Sequence, residues 1–265
     1  QGSVNDDGKS SFLDDCNSGI NILHIDPFKD PGVSSFEYAA KISCDLIRLC
    51  LDKNPNMLFE IGTEEAIFPY DHVYLDNFLS KCKRNLGDQV FQDSVIFGVV
   101  QCGTALKGDT NTGSFDSDRL ERMIQVCKSH NLLSKEHNGD YLDEEEFKKR
   151  FRIGLDAINI APEFGTDETK ILLSMMEKVQ ESSKKEDFYN LCYESRKWEK
   201  WIGSNFIPDT SDKKRDLMVC SGHYVFGDNK FGKIKEEFSE IDEIAFQSHY
   251  RKLSRLLGLI DEEIS

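Results

Sequence analysis

The chain has 265 residues, and its 48 acidic and 33 basic side chains give a formal net charge of −15. A protein that grips a nucleic-acid backbone presents a basic face, so this balance argues against nucleic acid as a partner. A local basic pocket can still hold an anionic sugar, so a phosphorylated ligand stays open. Eight scattered cysteines form no C-x-x-C pair and read as reduced thiols of a cytoplasmic protein. No apolar run approaches the ~18 residues of a membrane span, so no membrane partner is expected.

In chain order, residues 1–12 read as a polar loop, and a short helix from Ser11 to Ser18 is closed by Gly19. Ile20-Asn-Ile-Leu-His-Ile-Asp26 is β-rich and stops at Pro27. Apolar residues at helical spacing follow from Ser35 to Asp52, with Ser34 or Ser35 as N-cap. Asn56 to Gly62 is a second strand and Asp71 to Lys83 a helix. Ser94 to Gln101 is almost continuously apolar, as buried parallel strands are.

A loop from Cys102 to Gly113 and a helix from Asp116 to Ser129 come next. A strand then runs from Asn131 into Glu136-His-Asn-Gly-Asp-Tyr141, ahead of a helix from Asp143 to Arg152. Ala157 to Ala161 is the fifth strand; Pro162 to Gly165 is a loop, and Thr166 caps a helix reaching about Gln180. Beyond residue 180 the pattern becomes helical and aromatic-rich: Lys184 to Trp201, an irregular stretch, and a final helix from Glu243 to Leu257 stopped by Gly258.

Strands alternating with helices predict a parallel sheet with right-handed crossovers and a site at the strands' C-terminal ends. Those ends carry His24 and Asp26; Glu60, Thr63, Glu64 and Glu65; Gln101, Thr104 and Lys107; Glu136, His137, Asn138 and Asp140; Asn159 and Glu163. Imidazole among carboxylates suits a divalent metal such as Zn²⁺, Mn²⁺ or Fe²⁺. Each residue also has a plainer reading. His24 can be a core histidine, Asp26 a turn residue, Glu64 and Glu65 a solvated pair, and Lys107 a solvated loop cation. Glu60 lies in a buried run, where a bare carboxylate is costly, so it is either paired or functional. The turns at Asn138-Gly139 and from Pro162 to Thr166 precede helices whose first amides can hold phosphate.

Five motifs in order carry a resemblance: Ile22-Leu-His-Ile-Asp26, Phe59-Glu-Ile-Gly-Thr-Glu64, Val99-Val-Gln-Cys-Gly103, Lys135-Glu-His-Asn-Gly-Asp-Tyr141 and Ala157-Ile-Asn-Ile-Ala-Pro162. Their series, with Trp198-Glu-Lys-Trp201, resembles the tagatose-bisphosphate aldolase accessory (Z-type) subunits, a family similar to class II, metal-dependent sugar-phosphate aldolases. The resemblance covers most of the chain. It implies an α/β fold of the TIM (β/α)8 barrel type. Residues 1–180 would be the C-terminal part of the barrel, its last five βα units, and residues 181–265 a mostly helical extension packing on it. The first three strands, and an Asp-His pair that ends the third, would lie upstream of Gln1 or on another chain.

By the same resemblance His137 is a metal ligand, with a divalent metal, zinc, as the expected ion, and Asp26, Glu60 and Glu64 are the catalytic acids. Asn138, Gly139, Asp140, Asn159, Gly165, Thr166 and Lys107 would bind a phosphorylated sugar. Catalytic class II aldolases place a histidine where this chain has Gln101. Two functions therefore follow as expectations. One is a metal-dependent aldolase-type enzyme acting on a ketose phosphate in carbohydrate metabolism. The other is a non-catalytic barrel subunit that stabilises an aldolase partner. A homo-oligomer is compatible with both.

Overall fold

The computed structural model describes residues 8–29, 35–65, 67–179 and 183–264. Residues 1–7, Ser34 and Gln180, which the sequence reading assigned to a loop, a cap and a helix end, lie outside them. The strands are β1 (Ile22–Ile25), β2 (Leu58–Ile61), β3 (Val95–Val100), β4 (Thr104–Lys107), β5 (Thr110–Gly113), β6 (Leu133–Glu136) and β7 (Ala157–Ile158). The first six helices are α1 (Ser10–Asn17), α2 (Phe36–Lys53), α3 (His72–Leu86), α4 (Asp88–Ser94), α5 (Ser117–Ser129) and α6 (Glu144–Ile153). They are followed by α7 (Pro162–Lys178), α8 (Lys184–Ser195), α9 (Glu199–Ile202), α10 (Ser211–Ser221), α11 (Asn229–Lys235) and α12 (Ile241–Ile264). No helix of the described residues is long and apolar enough to cross a membrane.

The chain divides into two compact units: Gln1–Ala105 with Gly113–Asn138 and Lys149–Asn159, and Leu106–Thr112 with Gly139–Lys148 and Ile160–Ser265. The first holds a five-stranded parallel sheet in the order β1-β2-β3-β6-β7. Neighbours in space follow one another in the chain, with no reversal of order. Right-handed crossovers then put every connecting helix on the same face, whereas a doubly wound sheet needs a reversal. Burial agrees. Leu23, Ile25, Phe59, Ile61 and Val100 are buried in one core with α2, α3 and α5. On the opposite face Ile22 and Leu133 are 41% and 48% exposed.

The helices start where the sequence supplies an oxygen for an orphan amide. Ser35 accepts from Tyr38 N, Asp71 from Tyr74 N and Asp116 from Arg119 N. Each such cap contributes about 1 kcal/mol.

Four local expectations are corrected. The stretch from Cys102 to Gly113 is not a plain loop but contains the two-stranded sheet β4-β5, turning at Gly108 with φ +60°. The short helix α4 was not anticipated; it ends directly at β3. Helix α7 begins at Pro162, not Thr166. Proline suits the first turn because its missing N–H is not needed there, and the acids after Thr166 lie inside the helix. Gly258 does not stop α12, which continues to Ile264.

The second unit has its own core. Leu172, Leu173 and Met176 of α7 pack with Phe188 and Cys192 of α8, Leu217 of α10 and Phe231 and Ile234 of α11.

Candidate metal centre

In the first unit, register aligns His24 of β1 with Glu60 of β2. Between Phe59 and Glu60 the pairing with β3 slips by one residue, so Glu60 lies opposite Phe97. Such irregularities re-aim side chains and recur beside functional sites. Lys135 is on β6 and His137 is the first residue past its end; two residues apart in a nearly extended chain, both turn to one face.

The side chains converge. Glu60 Oε1 lies 3.1 Å from His137 Nε2 and 3.8 Å from His24 Nδ1. The His24 and His137 rings meet edge to face, with centroids 4.4 Å apart. One donor atom from each of His24, Glu60 and His137 lies within 4.8 Å of the others. Lys135 Nζ donates to Glu60 Oε2. Burial alone would push the Glu60 carboxyl up, but His137, Lys135 and His24 around it outweigh this and hold it at about 2.

His24 Nε2 lies 3.0 Å from the Gly62 carbonyl. A carbonyl oxygen only accepts, so Nε2 carries the hydrogen, and in the neutral ring the Nδ1 lone pair faces Glu60. His137 Nε2 is buried. Its approach to Glu60 lies off the line of a hydrogen bond, and it has no hydrogen-bond partner among the described residues. Two imidazole nitrogens and a carboxylate oxygen, one of them an orphaned buried donor atom, fit a divalent cation.

The other strand ends serve different ends. Asp26 is engaged on both oxygens, by Phe28 N at 3.1 Å and Thr63 Oγ1 at 3.0 Å. The Glu64 carboxylate is half-buried and makes no hydrogen bond or ion pair among the described residues. Glu65 pairs with Arg119 at 2.5 Å and accepts from Gly103 N at 2.6 Å. Gln101 is spent on structure: its Nε2 donates to the Thr63 and Phe68 carbonyls, and its Oε1 accepts from Tyr70 N and Arg119 Nη2.

Glu136, whose side chain points into the buried face, pairs with the fully buried Arg150 at 2.7 Å. It also accepts from Cys102 Sγ at 2.9 Å and Thr104 Oγ1 at 3.2 Å. Burial and then the Glu136 charge push the Cys102 thiol up to about 12, so it is no nucleophile. Asn138 donates to the Thr104 carbonyl at 2.8 Å, and Asn159 N donates to the Glu136 carbonyl at 2.8 Å.

Gly139, Asp140, Gly165, Thr166 and Lys107 remain of the candidates. They belong to the second unit. Asp140 Oδ1 accepts from Ala161 N and Glu163 N at 2.9 and 2.8 Å, so these first-turn amides of α7 already hold a carboxylate. Gly139 precedes that cap. Thr166 is buried inside α7, its hydroxyl 2.9 Å from Tyr141 Oη. Gly165 is packed so closely that a Cβ there would lie 2.5 Å from His223 Cβ. Lys107 is exposed on β4.

No protein-family model matches the chain, and no curated protein sequence matches it. Solved structures do. A probable tagatose 6 phosphate kinase from Sinorhizobium meliloti 1021 superposes with a TM-score of 0.66 at 15% identity, over 96% of this chain and 73% of that one. The fructuronate-tagaturonate epimerase UxaE from Cohnella laeviribosi, complexed with glycerol, gives 0.62 at 12% identity, over 94% of this chain and 66% of that one. At these identities the likeness establishes the fold. This chain shares an α/β architecture with two proteins named for sugar chemistry.

Sequence reasoning singled out Glu60 and His137 and left His24 open between core and site. It passed over Lys135, Arg119 and Arg150. Lys135 was detectable, because a lysine two residues before a candidate ligand on a strand must share its face.

Proposed function

We propose that this chain belongs to a metal-dependent enzyme acting on a ketose, phosphorylated or uronic, through carbanion chemistry next to the carbonyl. Aldol cleavage, which leaves an enediolate when the carbon–carbon bond breaks, and epimerisation beside a carbonyl, which forms one by losing a proton, share that intermediate. The reading rests on one observation: His24 Nδ1, Glu60 Oε1 and the orphaned His137 Nε2 converge at the strand ends. These three atoms would hold the metal, zinc or another first-row divalent ion. Once bound, it would supply a Lewis acid that polarises the carbonyl and balances the developing enediolate charge.

The protein's own groups do the rest. Gly62 orients His24 through its carbonyl. Asp26 is committed to Thr63 and Phe28. Glu64, half-buried and with no hydrogen bond or ion pair on its carboxylate among the described residues, takes and returns the substrate proton there. The sequential strand order and one-sided helix packing support the barrel-type (β/α) reading.

A second reading is a non-catalytic subunit of an aldolase assembly in the cytoplasm. Gln101 favours it: the end of β3 contributes no ligand, because its side chain is consumed by Thr63, Phe68, Tyr70 and Arg119.

Metal analysis followed by solvent exchange separates the two. The enzyme reading expects stoichiometric metal that His137→Ala loses without loss of fold. It also expects metal-loaded protein to exchange deuterium from D₂O into a ketose phosphate or ketouronate beside the carbonyl, and Glu64→Gln to abolish that exchange. Metal-free protein that exchanges nothing and co-purifies with an aldolase establishes the second reading instead.

A further inference from the structure

Glu60 divides its two oxygens between different neighbours. Oε1 faces the imidazoles, at 3.1 Å from His137 Nε2 and 3.8 Å from His24 Nδ1. Oε2 accepts a hydrogen bond from Lys135 Nζ. Lys135 is itself well held. Its side chain is only 17% exposed, and Nζ stands 5.5 Å from the Phe97 ring centroid. Phe97 is the residue that the slipped register places opposite Glu60.

We propose that Lys135 is a positioning residue of this centre: by holding Glu60 Oε2 it keeps the carboxylate a one-oxygen donor, so that other coordination positions stay free for substrate oxygens. The inference rests on the metal reading above.

The physical case has three parts. A carboxylate with both oxygens free can give both to a cation. An ammonium is a compact point charge with three donors and no acceptor, so it can claim one oxygen and can never itself become a ligand while protonated. The Phe97 face attracts that cation and restrains its stem. Lys135 also carries the same sign of charge as the metal, so it weakens metal binding while preserving open positions. An ordinary ion pair on a strand would do neither. It would affect stability alone.

Co²⁺ provides the test, because its visible bands and X-ray absorption edge report the number and kind of ligands. Wild-type protein, Lys135→Met, Lys135→Gln and Lys135→Arg are titrated with Co²⁺. Removing the ammonium in Met or Gln relieves like-charge repulsion with the cation and should tighten Co²⁺ binding about tenfold. The same two variants should show an added carboxylate oxygen in the first shell and altered visible bands, while Arg keeps the wild-type spectrum. Two neutral variants guard against one that fails to fold. If wild-type protein takes up no Co²⁺, the metal reading itself falls. If it takes up Co²⁺ and the Met and Gln variants match it in affinity and spectrum, the metal reading stands and the assignment of Lys135 is wrong.

Discussion

His24 Nε2 donates to the carbonyl of Gly62 at 3.0 Å, joining the end of β1 to the turn after β2. This bond sets which nitrogen of His24 faces Glu60. Partners of this kind fix ligand tautomer and ring orientation in metal sites. Gly62 can serve because it has no side chain. Its φ is +127°, and a Cβ would lie 2.9 Å from Val99 Cβ and 3.0 Å from Tyr70 Oη.

Gly62→Ala should therefore act twice. Strain and crowding should cost about 2 kcal/mol of stability, read by urea unfolding. Displacement of the carbonyl should weaken Co²⁺ binding by about tenfold. Val99→Ala, which leaves the carbonyl in place, should reduce stability without that loss of affinity. Equal metal binding in Gly62→Ala and wild type would show that the carbonyl does not orient His24.

The pair Glu136–Arg150 is buried on both sides, and removing one partner leaves a bare charge in the core. Arg150→Met should cost roughly 3–5 kcal/mol. The double variant Glu136→Leu with Arg150→Met should recover most of it, since a packed apolar pair replaces a desolvated ionic one. Denaturant unfolding of the three variants reads the cycle. A double variant as unstable as Arg150→Met would mean that the loss comes from packing.

Much of the sheet was legible because short β-branched runs ending in polar residues have few other readings. His24-Ile-Asp26, Glu60-Ile-Gly62 and Glu136-His137 all announced strand ends. The misplaced start of α7 lies where a distant residue decides. Thr166-Asp-Glu-Thr169 looks like a helix start, yet Asp140 caps α7 from 21 residues earlier through Ala161 N. Gly258 looks like a stop, and helix α12 passes through it at a cost of about 1 kcal/mol. Convergence of His24, Glu60 and His137 depends on strand order and register, which local pattern does not contain. Phe97 faces Glu60 only through the slip between Phe59 and Glu60, which no local pattern predicts.

Gln101 is a brace for the segment from Thr63 to Tyr70: its side chain bonds the Thr63 and Phe68 carbonyls and the Tyr70 amide. Gln101→Leu should leave the Phe68 carbonyl and the Tyr70 amide unpaired, and the Thr63 carbonyl with only the longer bond from Tyr70 Oη at 3.4 Å; this should cost about 3 kcal/mol, seen as a lower urea midpoint. Metal affinity should stay within twofold of wild type, about the scatter of a titration. A Gln101→Leu protein of normal stability that has lost its metal would make Gln101 part of the centre.

His223 gives the second unit a pH dependence of known sign. Burial, and then the Lys200 charge, lower its pKa to about 4. Its Nδ1 is buried without a hydrogen-bond partner among the described residues. The unfolded chain protonates this imidazole below about pH 6.5, and the folded protein only below about 4. Between these values the unfolded state binds more protons, so stability rises with pH. The contribution is complete above pH 6.5 and is lost as pH falls towards 4. It is worth about 2 kcal/mol once partial solvent exposure is allowed for. His223→Gln removes the titration. The stability difference between wild type and this variant, from urea unfolding at about pH 7.5 and about pH 4.5, should shift against wild type by that amount at the lower pH. A difference that does not change with pH would mean that His223 stays neutral, or charges freely, in both states.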